Sequence, residues 1–388
     1  MSRTEKAKSR PVGTESAGKA AARLQLRTLV KKFKVIEADC VRAGSSYNET
    51  QARVDFIGPM FKALGWDVDN TKGLPQDLRE VVHEDSVDVG EERLSKKPDY
   101  AFRLARQRKF FVEAKKPCVR IETDLAAAFQ LRRYGFSAGL PISILTNFHR
   151  LAIYDCVPVA KPADDPRIAR IRIYNYEDFV TKFDELYSEL SFESVVSGKF
   201  DSSFKVETTR EGTTQFDGYF LKQVESWRER LAGDIHKRNA RVTAPALTVF
   251  VQRILNRLIF LRICEDRELE KYETLRELGS VGVYDALKGL LRQADKKYDS
   301  GLFDLLDDPT TGLNLSDDIL SSIIEELYYP KSPYTFSVVE ASVLGDIYEL
   351  FLGNEIRIDP RGHTEVMDKP EVRAGGGVFS TTKYIVDA

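Results

Sequence analysis

The sequence predicts an α/β domain built on a mixed sheet flanked by helices, followed by an all-α connector domain. Between residues 98 and 155, short segments rich in aromatic and β-branched residues alternate with turn residues, which is typical of strands. Beyond residue 216, apolar residues recur every three or four positions, which is typical of helices. Because 388 residues exceed the usual size of one hydrophobic core, two domains are expected.

The first predicted helix lies within residues 47–66, with Asn48 as its N-cap and Gly65 as its stop. Pro59 should kink this helix, because proline removes a backbone donor. The apolar residues of the helix share one face and are Val54, Ile57, Phe61 and Leu64.

The α/β domain is predicted to continue as strand, strand, helix, strand, strand. Tyr100, Phe102 and Leu104 alternate as in a half-buried strand, and the strand after them ends before Pro117. The two strands are expected to form a β-hairpin. The segments, in order, are 98–104, 109–115, the helix 123–134, 141–146 and 150–155.

Weaker signals after residue 160 predict a connector with one helix at 176–190. Farther along, the acids Glu265 and Asp266 end a long apolar helix and are interpreted as a charged helix end. The predicted organisation is a disordered basic arm at 1–24, the α/β domain at 25–160, the connector at 161–214, a helical domain at 215–366 and a last, glycine-rich segment at 367–388.

Charge is unevenly distributed along the chain. A net charge of −2 argues against a protein that binds many phosphates. Residues 1–34 nevertheless carry a net +8 and residues 103–134 a net +6. Such an excess can form a surface that faces phosphates, or a solvated tail and an ordinary mixed surface, and charge alone leaves both open.

Composition excludes several classes of protein. The balance of 42% hydrophobic and 30% charged residues is that of a soluble globular protein. No apolar run could span a bilayer and no secretory signal begins the chain, so we expect a cytoplasmic protein without a membrane partner. The cysteines form no CxxC pair, which argues for reduced thiols, and are Cys40, Cys118, Cys156 and Cys264.

Three charged residues on the predicted hairpin form a candidate metal site. Glu113 and Lys115 share one face of a strand, and Asp99 on the neighbouring strand can add a second carboxylate. With the Ala114 carbonyl and waters, they would form the incomplete oxygen shell that magnesium prefers. A metal there would polarise a phosphate and activate a water, which Lys115 could orient or help deprotonate.

The alternative is a set of solvent-facing charges on an amphipathic hairpin, which the spacing alone favours. The apolar strand around Glu113 argues against it, because such strands rarely carry charges as surface decoration. Gln130 and Tyr134 share a helical face, as a surface Gln and a partly buried Tyr commonly do. Glu49 opens the first helix, where an acid also complements the helix dipole.

Longer segments carry a family resemblance. NETQARVDFIGPMFKALGWDV, KPDYAFRL, KFFVEAKKP, QLRRY and LPISILTNFHRLAIYD resemble the N-terminal PD-(D/E)xK nuclease of single-chain, type IIG-like restriction–modification enzymes with adenine methyltransferases. VQRILNRLIFLRICEDREL and LGDIYELFLG resemble the helical connector of that family, and AGGGVFSTTKYIVDA resembles the opening of its methyltransferase domain.

The resemblance implies a PD-(D/E)xK nuclease-like mixed sheet and an endonuclease that acts on double-stranded DNA, with Mg²⁺ as cofactor and Mn²⁺ as a substitute. Asp99 and Glu113 would be the metal ligands, together with the carbonyl of Ala114. Lys115 would be the catalytic lysine and Glu49 the helix acid.

The same resemblance makes Gln130 and Tyr134 a QxxxY pair that approaches the DNA backbone near the metal. At the C-terminal end, Ser380, Thr381 and Thr382 stand where the family has a Tyr-Thr-Pro-like triplet, and no Asn-Pro-Pro-Tyr-like motif occurs. S-adenosylmethionine is therefore expected only in a longer parent protein, with the methyltransferase and target-recognition regions supplied in cis or in trans. Two alternatives stay open: a non-catalytic DNA-binding or assembly subunit, and a fragment of an adenine-specific methyltransferase.

Overall fold

The computed structural model describes residues 16–83, 97–204, 215–298, 301–339 and 353–369. These residues form a six-stranded mixed sheet flanked by helices and a second, largely helical region. The predicted mixed α/β class is confirmed. Within these ranges, no helix combines the length and the apolar character that crossing a bilayer requires.

The first helix is α1 (Ala17–Val41). The prediction of a disordered arm at residues 1–24 is therefore wrong for its last eight residues. The Ser16 hydroxyl caps it by accepting a hydrogen bond of 3.3 Å from the N–H of Lys19. The alanine-rich first turns favour a helix. Residues 17–24 are therefore helical, and residues 1–15 lie outside the described residues. The helix buries one side of itself through Ala22, Leu26, Phe33 and Cys40.

The helix predicted within residues 47–66 is present and is interrupted next to Pro59, as expected. It consists of α2 (Glu49–Ala52), a π-helical turn (Arg53–Ile57) and α3 (Gly58–Ala63). Pro59 has no N–H for the carbonyl four residues before it, and the preceding N–H, of Gly58, bonds to the carbonyl of Arg53, five residues back.

The ends of this helix also follow the prediction, but one core residue does not. Asn48 caps α2 in a reciprocal pair with Gln51, with both hydrogen bonds at 2.8 Å. Gly65 follows α3 with a φ of 95°, which favours glycine and ends the helix. Val54, predicted to be buried, is 69% exposed, because the π turn shifts the apolar face by one residue.

The sheet has the strand order β1 to β6, and only the pair β3/β4 is parallel. The predicted hairpin and the two strands after the helix are confirmed. Two strands of this sheet were not predicted: the first precedes the predicted hairpin, and the sixth lies in the expected connector. The strands are β1 (Val81–His83), β2 (Tyr100–Leu104), β3 (Gln107–Ala114), β4 (Ile142–Thr146), β5 (Arg150–Asp155) and β6 (Arg170–Asn175).

Helix α4 (Leu125–Ser137) connects the two parallel strands and packs on one face of the sheet. The opposite face is covered by α1–α3 and by four short helices that follow β6. Residues 170–204, expected to lie in a connector, therefore belong to the core of the sheet. The short helices are α5 (Asp178–Thr181), α6 (Phe183–Leu190), α7 (Phe192–Val196) and α8 (Lys199–Ser203).

The second region has one apolar core. It was predicted to be all-α, but it also contains a short antiparallel hairpin. The Ile356 N–H of this hairpin donates to the Thr248 hydroxyl at 3.0 Å. The segments LGDIYELFLG and AGGGVFSTTKYIVDA, which carry part of the family resemblance, lie outside the described residues, except for Gly353. The elements are α9 (Gln215–Arg238), α10 (Ala244–Asp266), α11 (Val283–Tyr298), α12 (Asp317–Glu325), β7 (Asn354–Ile358) and β8 (Thr364–Asp368).

Residues 333–338, which we name the bridging segment, join the two regions through α4. Arg133 donates to the carbonyls of Pro333 and Tyr334, at 3.1 and 2.7 Å. The hydroxyl of Ser137 accepts from the N–H of Thr335 at 2.8 Å. Phe136, also on α4, belongs to the core of the helical region. A helix of the sheet domain thus holds the second region directly.

Candidate functional site

Asp99 and Glu113 meet where β2 begins and β3 ends. Tyr100 pairs with Val112, so Asp99 stands opposite Glu113, and opposed residues of antiparallel strands share a face. One oxygen of Asp99 accepts a hydrogen bond from the N–H of Ala114 at 2.7 Å. These residues lie at the carboxyl ends of the parallel strands β3 and β4, the edge at which open α/β sheets commonly bind ligands.

Glu113 is a buried acid with one unsatisfied oxygen. Its side chain is 5% exposed, and its Oε1 accepts a hydrogen bond from Lys115 Nζ at 2.7 Å. Its Oε2 has no hydrogen-bond partner in the part of the chain that the structure describes. Burial raises the pKa of Glu113 to about 7, although Lys115 acts in the opposite direction. Buried polar atoms are normally paired, so this oxygen is open to a further ligand.

Lys115 is held in its protonated form. Burial by itself would lower its pKa, but the surrounding carboxylates, Glu113 first, outweigh burial and raise the pKa above its usual value. The side chain is still 23% exposed, so the ammonium remains accessible from solvent. A protonated lysine can donate hydrogen bonds and stabilise negative charge, and is poorly suited to accept a proton.

The N-terminal turn of α2 adds Glu49 to this cluster. Burial and the nearby Asp99 raise the pKa of Glu49, while Lys115, Arg53 and the exposed Lys116 lower it. The structure therefore brings together four of the residues named from the sequence: Glu49, Asp99, Glu113 and Lys115.

Arg53 is a member of the site that the sequence analysis missed. Its Nη1 donates to Asp99 Oδ1 at 3.2 Å and its Nε donates to the Tyr100 hydroxyl at 3.2 Å. Its guanidinium carbon lies 4.8 Å from the centre of the Tyr100 ring. Arg53 follows Glu49 by four residues, a spacing that places two helical side chains side by side. That spacing is the signal that could have identified it.

Gln130 and Tyr134 interact with each other as their spacing predicted, with Gln130 Nε2 donating to the Tyr134 hydroxyl at 2.7 Å. Tyr134 is buried in an apolar cluster with Phe111 and Ala101. Because Phe111 precedes Glu113 by two residues, the pair on α4 covers the same face of the sheet as the carboxylates.

The donors present fit a hard divalent cation better than a soft one. Within the described residues, no group of three or more His, Cys, Asp and Glu side chains is arranged to hold a metal. What the site offers is two carboxylates, one with an unsatisfied oxygen, beside the backbone of Ala114. Magnesium is commonly held by one or two carboxylates and several waters, so these donors suit it.

The arginines of residues 103–134 mostly support the fold, which narrows the surface of this stretch that could face a phosphate. Arg106 pairs with Asp77 at 2.8 Å. Arg132 is buried and pairs with Asp164 at 2.7 Å. The exposed Lys116 next to the site is the clearer candidate for contact with a phosphate.

Comparisons with known proteins give one extensive similarity. No family model matches the chain. The chain is 42% identical over 364 residues to the Type II restriction enzyme and methyltransferase RM.Eco57I of Escherichia coli. The aligned part is 93% of this chain and 36% of that protein. A cryo-EM structure of a DrdV–DNA complex aligns with 84% of this chain and 28% of that chain, at 14% identity and a TM-score of 0.22, too low to support a structural argument. The chain thus spans about a third of the curated relative that it matches.

Proposed function

We propose that this chain is the divalent-metal-dependent endonuclease portion of a restriction–modification enzyme and that it hydrolyses phosphodiester bonds in DNA. The observation that carries the proposal is the unsatisfied Oε2 of the buried Glu113, beside Asp99 and the protonated Lys115. The similarity to a restriction enzyme and methyltransferase supports DNA as the substrate. A PD-(D/E)xK nuclease fold is part of this proposal.

The roles follow from what each group can do where it lies. Asp99, Glu113 and the Ala114 carbonyl would hold Mg²⁺, for which Mn²⁺ should substitute. When bound, the ion supplies a Lewis acid for the phosphate and lowers the pKa of a water. Lys115 donates hydrogen bonds to the attacking water or to the phosphate and stabilises the negative charge that develops there. Glu113 positions Lys115 through the bond at 2.7 Å.

Three further residues have supporting roles in the proposal. Glu49 adds negative charge that keeps Lys115 protonated. Gln130 and Tyr134 would approach the DNA backbone from α4. Contacts to phosphates position a protein and do not read sequence, so target recognition and S-adenosylmethionine binding are assigned to a longer parent protein.

Lys115→Ala tests the proposal. The variant should cut supercoiled plasmid at least about a hundredfold more slowly than the wild type, because charge stabilisation in the transition state is lost. Plasmid nicking is measured in Mg²⁺ or Mn²⁺ at low salt, with protein above the ~10⁻⁴ to 10⁻⁶ M range of non-specific DNA binding. Circular dichroism melting checks that the variant is folded.

Lys116→Ala is the matched control, because Lys116 is exposed and adjacent in sequence. It should weaken DNA binding and leave the rate at saturating protein close to that of the wild type. If the wild-type protein binds DNA but does not cut it in Mg²⁺ or in Mn²⁺, the result would favour the non-catalytic DNA-binding or assembly subunit. Normal cutting by Lys115→Ala would remove Lys115 from the mechanism.

A further inference from the structure

We infer that Arg53 is an internal counter-ion of the site. It pairs with Asp99 while no divalent cation is bound, releases that carboxylate to the cation, and then contacts a phosphate of the DNA. The inference rests on the proposed function and deepens it, since it adds a phosphate-binding residue that also controls access to a metal ligand.

The hydrogen bonds of Asp99 favour a competition between Arg53 and a cation for the same carboxylate. Both carboxylate oxygens are engaged: Oδ1 accepts from Arg53 at 3.2 Å and Oδ2 from the N–H of Ala114 at 2.7 Å. The Ala114 N–H belongs to the backbone of β3 and cannot swing away, whereas the Arg53 side chain can. The side chains of Arg53 and Asp99 are only 20% and 12% exposed, so water screens their attraction less than on an open surface. A cation that binds Asp99 therefore gains Oδ1 chiefly by displacing Arg53.

A second anchor keeps Arg53 at the site after it releases Asp99. Its Nε donates to the Tyr100 hydroxyl and its guanidinium lies over the Tyr100 ring. Tyr100 is buried and belongs to the core strand β2, so this anchor is rigid. Nη2 makes no hydrogen bond to any described residue, so a released guanidinium presents both terminal nitrogens. That fork is the geometry that binds a phosphate through two hydrogen bonds.

The backbone of Arg53 is fixed by an irregularity that is independent of these side-chain contacts. Arg53 begins the π-helical turn, and its carbonyl accepts the N–H of Gly58. A Cβ on Gly58 would lie 3.1 Å from that carbonyl oxygen, so the turn has little space for a larger residue there. Single π turns occur frequently at functional sites, and Arg53, beside the carboxylates, is the first residue of this one.

Mn²⁺ binding to the full chain, without DNA, provides the first readout, measured by electron paramagnetic resonance. Arg53→Ala should bind Mn²⁺ roughly three- to tenfold more tightly than the wild type, because a competing cation beside Asp99 is gone. Plasmid cleavage by the same variant should be about tenfold slower or more at saturating Mn²⁺, because a phosphate contact is lost. Tighter metal binding with slower cleavage is a combination that a merely structural residue would not produce.

Two further variants sharpen the test. Arg53→Lys keeps the charge and loses the fork, so its Mn²⁺ affinity should return toward the wild-type value while cleavage stays impaired. Lys62, on α3, forms a surface ion pair with Asp69, and Lys62→Ala should change neither the Mn²⁺ affinity nor the cleavage rate. Weaker Mn²⁺ binding together with a lower melting temperature in Arg53→Ala would overturn the inference, as would an unchanged affinity.

Asp99→Asn separates this inference from the proposed function. If the wild type binds no Mn²⁺, or if Asp99→Asn binds it equally well, the metal site itself is wrong and both proposals fail. If binding depends on Asp99 and the wild type cuts DNA, but Arg53→Ala behaves as the wild type does, only the role of Arg53 is wrong.

Discussion

Two buried glutamates, Glu113 at the end of β3 and Glu265 near the end of α10, differ in whether both carboxylate oxygens have partners. Glu265 Oε1 accepts from the N–H of Leu275 at 2.9 Å and its Oε2 from the hydroxyl of Tyr328 at 2.6 Å. Glu113 uses only Oε1, toward Lys115, and its Oε2 has no partner in the described part of the chain.

Burial raises the pKa of both Glu113 and Glu265, so the direction of the pKa shift does not distinguish them. The hydrogen-bond partners do. A buried acid whose oxygens are all satisfied stabilises the structure around it, whereas an acid with an open oxygen can still bind a ligand. In both places the sequence has an acid and a base two residues apart, so the sequence pattern does not distinguish the two glutamates. Glu265 was interpreted as part of a charged helix end, but its 1% exposure places it in the core.

The largest expected change in stability comes from replacing Glu265. Glu265→Ala should lower the free energy of unfolding by about 3–5 kcal/mol, because it removes one partner of a buried ion pair with Arg262 and leaves buried donors unpaired. Urea denaturation measures the change. Asp285→Ala removes a carboxylate that is 83% exposed and pairs with Lys288, and it should lower stability far less. Equal losses in the two variants would mean that the buried cluster is not structural.

Glu113→Gln should instead raise the free energy of unfolding at high pH when divalent cations are removed with EDTA. The pKa of Glu113 is about 7 in the folded protein against an ordinary value of 4.5. The folded state therefore binds more protons between these values, and the contribution of Glu113 to stability is full below pH 4.5 and is lost as the pH rises to about 7. At pH 8 the variant should be more stable than the wild type by about 1–3 kcal/mol.

The difference in unfolding free energy between Glu113→Gln and the wild type, measured from pH 4 to pH 8, isolates the titration of Glu113 from that of the other acids. It should grow with pH and level off above about pH 7. Parallel curves would contradict an open, poorly solvated carboxylate at this position and would remove the contrast with Glu265.

The smallest expected effect lies in the link between the two regions. Ser137→Ala removes the acceptor of the buried Thr335 N–H and should destabilise the protein by about 1–2 kcal/mol. Ser188→Ala is the control, because that exposed hydroxyl donates within α6, to the carbonyl of Glu185. If both variants melt at the wild-type temperature, the bridging segment does not contribute measurably to stability.

Local patterns predicted the parts of the fold that depend on near neighbours in sequence. The alternation of apolar residues predicted the hairpin β2–β3, and the pairing of these two strands places Asp99 opposite Glu113. Strand β6 was missed although residues 170–174 alternate as a strand does. In this edge strand Ile171 and Ile173 are exposed and Tyr174 is the buried side chain, so the apolar residues of the pattern do not mark the face that packs on the core.

The spacing from Glu49 could have placed Arg53 on the face of the site, but it could not show what Arg53 binds. Its partners Asp99 and Tyr100 lie at the start of β2, 46 and 47 residues farther along the chain. The arginines of residues 103–134 were equally ambiguous, because their partners are remote: Arg108 donates to the carbonyl of Val338, and Arg132 pairs with Asp164. Charge counts could not separate these anchors from residues facing a phosphate.

Helix α4 supplies side chains to more than one core: Leu131 to a cluster beneath the sheet and Phe136 to the core of the helical region. Cutting the chain after residue 204 to isolate the sheet domain would expose Phe136 to water and deprive Arg133 of its carbonyl partners. Neither region can lose its structure without weakening the other, so thermal unfolding of the whole chain should be a single cooperative transition. An exchange of the sheet domain between related proteins would have to carry the bridging segment with it.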